Sequence, residues 1–103
     1  MADMNFETLA NQALDGLFDR LDRAIGDSAE VDFENGILSV ELADGGQYVI
    51  NKNAAAAQIW LSSPKSGAHH FSHDEATGHW VSTRGAGDLL TLLEKELAST
   101  LSG

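Results

Sequence analysis

The sequence predicts an α+β fold: a two-layer sandwich in which an antiparallel sheet of five to six strands carries an N-terminal and a C-terminal helix on one face. Three observations predict it. Apolar residues recur at helical spacing near each end of the chain. Between them, short segments alternate apolar and polar residues. The turns joining those segments are too tight to connect parallel strands. The 103 residues are read as a single domain spanning 1–103.

Taken in order, the first helix is expected over 3–25, with Phe6, Leu9, Ala10, Ala13, Leu17, Leu21 and Ala24 as its apolar stripe. Gly26 can end it. "AEVDFE" (29–34) and "ILSVEL" (37–42) then alternate around Asn35-Gly36, a strong two-residue hairpin signal. That turn sets Glu34 opposite Ile37, Asp32 opposite Ser39 and Glu30 opposite Glu41, with Phe33, Leu38, Val31, Val40 and Leu42 on the other face. "ADGG" leads to a third strand, "QYVINKN" (47–53), and "AAAA" to a fourth, "QIWLS" (58–62). After the turn "SSPKSG", "AHHFS" and "HWVST" are two more short strands around "HDEATG", with His73 opening that loop. Asp88 reads as the N-cap of a last helix striped by Leu89, Leu90, Leu93, Leu97 and Leu101.

The chain has no Cys, which excludes disulfides, thiolate zinc sites and cysteine nucleophiles. It also means that no iron–sulfur cluster is held by cysteines of this chain. No apolar run approaches the ~20 residues of a membrane span, so no membrane partner is expected. The N-terminal "MADMNFETLANQ" lacks the basic start and apolar run of a secretory signal, which suggests a soluble intracellular protein or a mature form without its leader. Net charge is −10, and its placement is uneven: residues 1–44 hold eleven acids against two bases, residues 45–103 five against four. Nucleic-acid binding is not expected without a basic patch; a cation or a basic protein surface is the natural partner.

Three features could carry function. Asp15, Asp19 and Asp22 share a helix face, and Asp27, Glu30, Asp32 and Glu34 continue the acidic series through the loop and first strand. Like charges at such spacings cost about 0.2–0.5 kcal/mol per pair. The plain reading is a solvated face; the functional reading is a ridge for hard cations or a basic partner, open and weakly binding, since oxygen ligands along a ridge form no closed cage. Second, the alternation of "QIWLS" sends Ile59 and Leu61 toward the helices and Trp60 to the open sheet face, beside Gln58, Asn51 and Asn53. A one-residue slip would instead bury Trp60; Trp80 is the expected core tryptophan. Third, "HHFSH" places His69 inward with Phe71 and His70 outward, and reads first as surface histidines. No Ser–His–Asp arrangement, phosphate loop or dinucleotide fingerprint is present.

Together these residues resemble the frataxin family. "YVINKNAAAAQIWLSSPKSG" (48–67) carries the most specific motif, Asn-Lys followed by Gln-Ile-Trp-Leu-Ser-Ser-Pro, and "GHWVSTRGAGDLLTLLEKEL" and "DSAEVDFENGILSVEL" fit the family's end and start. The resemblance implies a helix–sheet–helix sandwich and a role in iron–sulfur cluster assembly. It implies weak binding of Fe²⁺ or Fe³⁺ on the acidic ridge, docking on the cysteine desulfurase and scaffold complex, and regulation of sulfur transfer. By position, Asp19, Asp22, Asp27, Glu30, Asp32 and Glu34 match ridge sites, and Asn51, Gln58 and Trp60 match sheet-face residues that meet the scaffold. Asn53 stands where the family usually has Gln, Ala55 where Pro is common, and His70 where mitochondrial relatives have Arg; Arg23 and Ile25 stand where bacterial relatives often carry acids. A monomer that can oligomerise with iron is implied, in the cytoplasm if bacterial and in the mitochondrial matrix if a mature eukaryotic form. The alternative is a ferroxidase or iron store, although the ridge lacks the Glu-x-x-His pattern of di-iron bundles.

Overall fold

The structure, a computed structural model, describes residues 5–97. Helix α1 (Phe6–Ile25) is followed by strands β1 (Ala29–Glu34), β2 (Ile37–Leu42), β3 (Gln47–Asn53), β4 (Gln58–Ser63), β5 (Gly67–His73) and β6 (Trp80–Ser82), and by helix α2 (Leu89–Glu96). The six strands lie side by side in chain order, each antiparallel to the next.

α1 begins where Asn5, in extended backbone, accepts the Thr8 N–H on its side chain at 2.9 Å, filling one of the unpaired donors of the first turn. Positions 3 and 4 of the expected helix lie outside the described residues. Its buried stripe is Ala10, Leu14, Leu17, Leu21 and Ile25. Ala24 is exposed, not part of the stripe as expected: Leu14 and Ile25 take the inward positions that the helical period demands. Gly26 closes the helix in right-handed backbone, and a Cβ there would run into the Asp22 carbonyl.

Asn35 (φ 55°) and Gly36 (φ 76°) both take left-handed backbone, which a type I′ hairpin requires. The register is the one the turn sets, from Glu34 opposite Ile37 to Ala29 opposite Leu42. The helix-facing side of the sheet buries Leu38, Val40, Tyr48, Ile50, Ile59, Leu61, Phe71 and Trp80 against the leucines of α1 and α2. α2 starts at Asp88, whose carboxylate accepts the Thr91 N–H at 2.7 Å. Leu101 of its expected stripe lies outside the described residues.

Three strands, β4, β5 and β6, differ in their bounds from expectation. Ser63 belongs to β4, buried at its end. His73 is the last residue of β5 and pairs with Trp80, so it does not open the loop. β6 has only three residues, because the backbone after Ser82 turns and the Ser82 N–H bonds to the Gly87 carbonyl at 2.8 Å.

Candidate functional site

The period of two that sends Val31 and Phe33 toward the core leaves Glu30, Asp32 and Glu34 exposed on the opposite face of β1. Phe33 is held in that register by the Phe18 ring of α1, 5.8 Å away between centroids. Asp15, Asp19 and Asp22 are exposed on α1, and Asp27 is exposed in the connecting turn. The acidic series thus wraps around the edge strand from the helix layer to the open sheet face. Arg23 pairs with Asp19 at 3.0 Å, whereas Arg20 turns away to Glu94 of α2 at 2.9 Å. Among the described residues, the other six ridge carboxylates have no ion pair.

Register adds one carboxylate to this edge: Glu41 of β2 stands directly opposite Glu30 and is likewise exposed. Its signal was in the sequence, since the hairpin turn alone fixes that pairing. Among the described residues no three His, Asp or Glu side chains converge closely enough to hold a metal ion as a closed site. The donor set is all oxygen, which suits a hard cation held through water rather than a caged one.

The open face of the sheet is organised by a cross-strand row. Glu34 is opposite Ile37, Ile37 opposite Asn51, Asn51 opposite Trp60, and Trp60 opposite His70. The row crosses β1 to β5 and joins the acidic edge to the indole. Trp60 is half-buried, and its Nε1–H donates to Gln58 Oε1 at 2.9 Å. The His70 ring stacks on it at 4.4 Å with 15° between planes. These two contacts fix the indole, which stays partly exposed. Asn53 lies one row away, opposite Gln58, with its side chain accepting the Ala56 N–H at 2.9 Å; it shapes the β3–β4 turn. That turn ends at Ala57 with φ 54°, left-handed backbone in a residue with a Cβ, which nothing in the sequence foretold. Ile37 and Val81 add exposed apolar surface to the same face, at 47% and 36% exposure.

The four histidines do not form a cluster. His69 meets Ser66 Oγ at 2.8 Å on the helix side, His70 stacks on Trp60, His73 lies 5.2 Å from the Trp80 ring, and His79 pairs with Asp88 at 3.0 Å. Asp88 is held below the usual carboxylate range chiefly by the Thr91 backbone N–H, with His79 contributing.

A polar centre that the sequence reading missed sits under the end of α2. Glu96 Oε1 accepts from Tyr48 OH at 3.0 Å and from Ser63 Oγ at 2.6 Å, and its Oε2 accepts from Ser66 Oγ. Lys65 Nζ donates to the Glu96 carbonyl at 2.6 Å. Burial alone would raise the Glu96 carboxyl, but the hydrogen bonds from Ser63, Ser66 and Tyr48 outweigh it and hold the group below its ordinary range. Burial and the adjacent carboxylate push the Tyr48 phenol up to about 12. This centre clamps α2 to the β3 and β4 ends and faces away from the open sheet surface.

A cavity of about 380 Å³ lies between α1, Trp80 and the start of α2 and contains none of the ridge or sheet-face residues. Among the described residues no helix is long and apolar enough to cross a membrane.

Comparison with known proteins agrees with this architecture. The family model described as Frataxin-like domain matches residues 1–103. The chain is 35% identical over 106 residues to the mitochondrial frataxin homolog of Schizosaccharomyces pombe, covering 99% of this chain and 67% of that one. It is 36% identical over 101 residues to the iron-sulfur cluster assembly protein CyaY of Thioalkalivibrio sulfidiphilus, covering 96% and 92%. Among solved structures, trimeric frataxin from Saccharomyces cerevisiae in a ferrous complex superposes with a TM-score of 0.78 at 34% identity, covering 100% of this chain and 92% of that one. With the family model spanning its length, and relatives this similar over nearly all of it, the chain belongs to the frataxin family.

Proposed function

We propose that this protein is an iron-binding regulator of iron–sulfur cluster assembly, docking on the cysteine desulfurase and scaffold complex and modulating sulfur transfer and iron delivery. The reading is supported by relatives named for iron–sulfur cluster assembly and for frataxin, and by a similar structure in a ferrous complex. The observation that carries it is the row Glu34–Ile37–Asn51–Trp60–His70. It puts a carboxylate edge and a braced indole on one uncovered surface, so one docking event can engage both.

The roles divide by chemistry. Asp15, Asp19, Asp22, Asp27, Glu30, Asp32 and Glu34 attract iron as cargo and steer a basic groove of the desulfurase, a long-range effect that salt weakens. Trp60, with Asn51, Asn53, Gln58 and His70 around it, supplies the buried anchor against the scaffold. The ridge binds metal weakly and gives it up readily, as delivery requires.

The test has two parts. Sulfide production by the cognate desulfurase and scaffold should change when the protein is added, and change again with iron. Paramagnetic Mn²⁺ should broaden amide signals from about Asp15 to Glu34 and spare α2, as hard-cation binding to carboxylates requires. Broadening centred on His69, His70 and His73 would move the metal site. Many turnovers of aerobic Fe²⁺ oxidation at catalytic protein concentration would favour the ferroxidase reading.

A further inference from the structure

We propose that the corner of the sheet formed by His70 and Arg84 is an anion-binding anchor for a carboxylate-bearing segment of a protein partner, at the far end of the open face from the acidic ridge. The partner's identity rests on the assembly-complex reading; the anchor itself rests on charge and geometry.

The charge argument comes first. The chain has sixteen acids and six Lys or Arg. Arg20, Arg23 and Lys52 pair with Glu94, Asp19 and Glu7, and Lys65 is spent on the Glu96 carbonyl. Lys95 sits in the last turn of α2, where a cation complements the helix dipole. Arg84 has no carboxylate partner among the described residues. A guanidinium left unpaired in so acidic a chain is available to an acid from outside.

The geometry makes Arg84 part of a site. The Arg84 N–H donates to Ser82 Oγ at 3.1 Å, and the Thr83 N–H donates to the His70 carbonyl at 2.9 Å, so the turn after β6 is tied to β5. His70, Thr83 and Arg84, with Ala68, His69 and Ser82, line a hollow of about 220 Å³. The groups facing His70 are Trp60 from β4 and Thr83 and Arg84 from the β6 side, and no carboxylate pairs with its ring among the described residues. Stacking on Trp60 fixes the ring plane. Arginine, threonine and histidine lining one hollow supply a guanidinium fork, a hydroxyl and an imidazole, side chains whose chemistry suits the planar, bidentate needs of a carboxylate.

The occupant follows from the rest of the face. A nucleic acid would bring a row of phosphates toward Glu30, Asp32 and Glu34 and be repelled. A folded protein with an acidic patch opposite Arg84 and a basic patch opposite β1 meets both ends. Such polarity permits one orientation of docking and rejects the reversed one.

The experiment compares wild type, Arg84→Glu, Arg84→Gln and the double variant Asp32→Asn/Glu34→Gln in calorimetric binding to the purified desulfurase–scaffold complex at low salt. A short Glu-rich peptide is titrated into ¹⁵N-labelled wild type in parallel. Arg84→Glu should weaken the complex by about tenfold or more and Arg84→Gln by less. Both should melt within a degree or so of wild type, since Arg84 is exposed. The peptide should shift the His70, Thr83 and Arg84 amides and the Trp60 indole signal, and leave 15–34 unmoved. Where wild type binds the complex, equal binding by Arg84→Glu overturns the anchor, and so does a peptide that leaves those signals still. If wild type ignores the complex while the peptide still moves the corner, the assembly reading falls and the anchor stands. An oligonucleotide that moves the corner more than the peptide, or self-association abolished by Arg84→Glu, shows the wrong partner class and overturns the proposal.

Discussion

Trp80 and Trp60 stand on opposite faces of one sheet. Trp80 is 8% exposed, with the Phe6 ring of α1 edge-on at 6.0 Å and His73 at 5.2 Å. Among the described residues no helix lies over Trp60; a glutamine and an imidazole hold it in place, and both are polar. The helix-covered face is made of side chains that choose each other by shape. The open face is made of side chains that hold still without being covered. That difference separates what keeps the protein folded from what it has to offer a partner.

The sharpest way to break the comparison is to truncate each indole. Trp80→Ala should cost about 3–5 kcal/mol, a large share of a marginal domain's stability. Trp60→Ala should cost about 1 kcal/mol, the worth of an aromatic stack, while abolishing the effect on sulfide production. Urea denaturation of the two variants decides it. If Trp60→Ala unfolds the protein, the open face is structural and the docking surface fails with it.

The next test concerns the clamp under α2. Removing the Glu96 carboxylate as Glu96→Gln should cost about 1–3 kcal/mol at neutral pH, because Tyr48 and Ser63 lose a charged acceptor. The sign with pH follows from the direction of the shift. The folded-state value of Glu96 lies below its unfolded one, so its contribution is complete above the ordinary carboxylate range and is lost as pH falls through it. Wild type should therefore lose stability below about pH 4.5, and Glu96→Gln should lose less over the same interval. Parallel acid limbs in urea titrations would show that Glu96 is not the group responsible.

The smallest effect is expected on the ridge. Asp32→Asn/Glu34→Gln should raise stability by about 0.5–1 kcal/mol, since each change removes like-charge repulsion on an edge strand. In a domain of this size that is a few degrees in melting temperature. The same variant should bind the desulfurase complex less well, most visibly at low salt. A lower melting temperature would mean that these carboxylates have structural partners.

Much of this division was legible in the sequence, for a physical reason. Period-two alternation anchored by Asn35-Gly36 determines which β1 residues point out, and no tertiary information is needed. The same logic placed Trp60 opposite the core. The Glu96 centre was not legible, because it depends on where α2 crosses the sheet, and Glu96 reads as one more polar residue beside a leucine stripe. The separation of His69 and His70 onto different faces was legible from the same alternation, whereas the partners they meet, Ser66 and the Trp60 ring, were not. The Ala57 backbone was hidden because "AAAA" carries none of the usual residues for a left-handed turn.

The strand order β1-β2-β3-β4-β5-β6 has one further consequence, which concerns how the chain acquires its shape. Every strand pairs with its neighbour in sequence, so no pairing must wait for a distant segment. The sheet can zip from the first hairpin onward, and hairpins form in about 1–10 μs. During synthesis, α1 and the early strands are available to each other before α2 has left the ribosome. The Arg20–Glu94 and Tyr48–Glu96 contacts are the bonds that must come last, across 74 and 48 residues of chain. Until α2 arrives, the apolar side of the meander has α1 alone for cover. The nascent protein is then most exposed to aggregation on the very face that is later its core, while the carboxylates of β1 guard the edge where a second chain would otherwise add on.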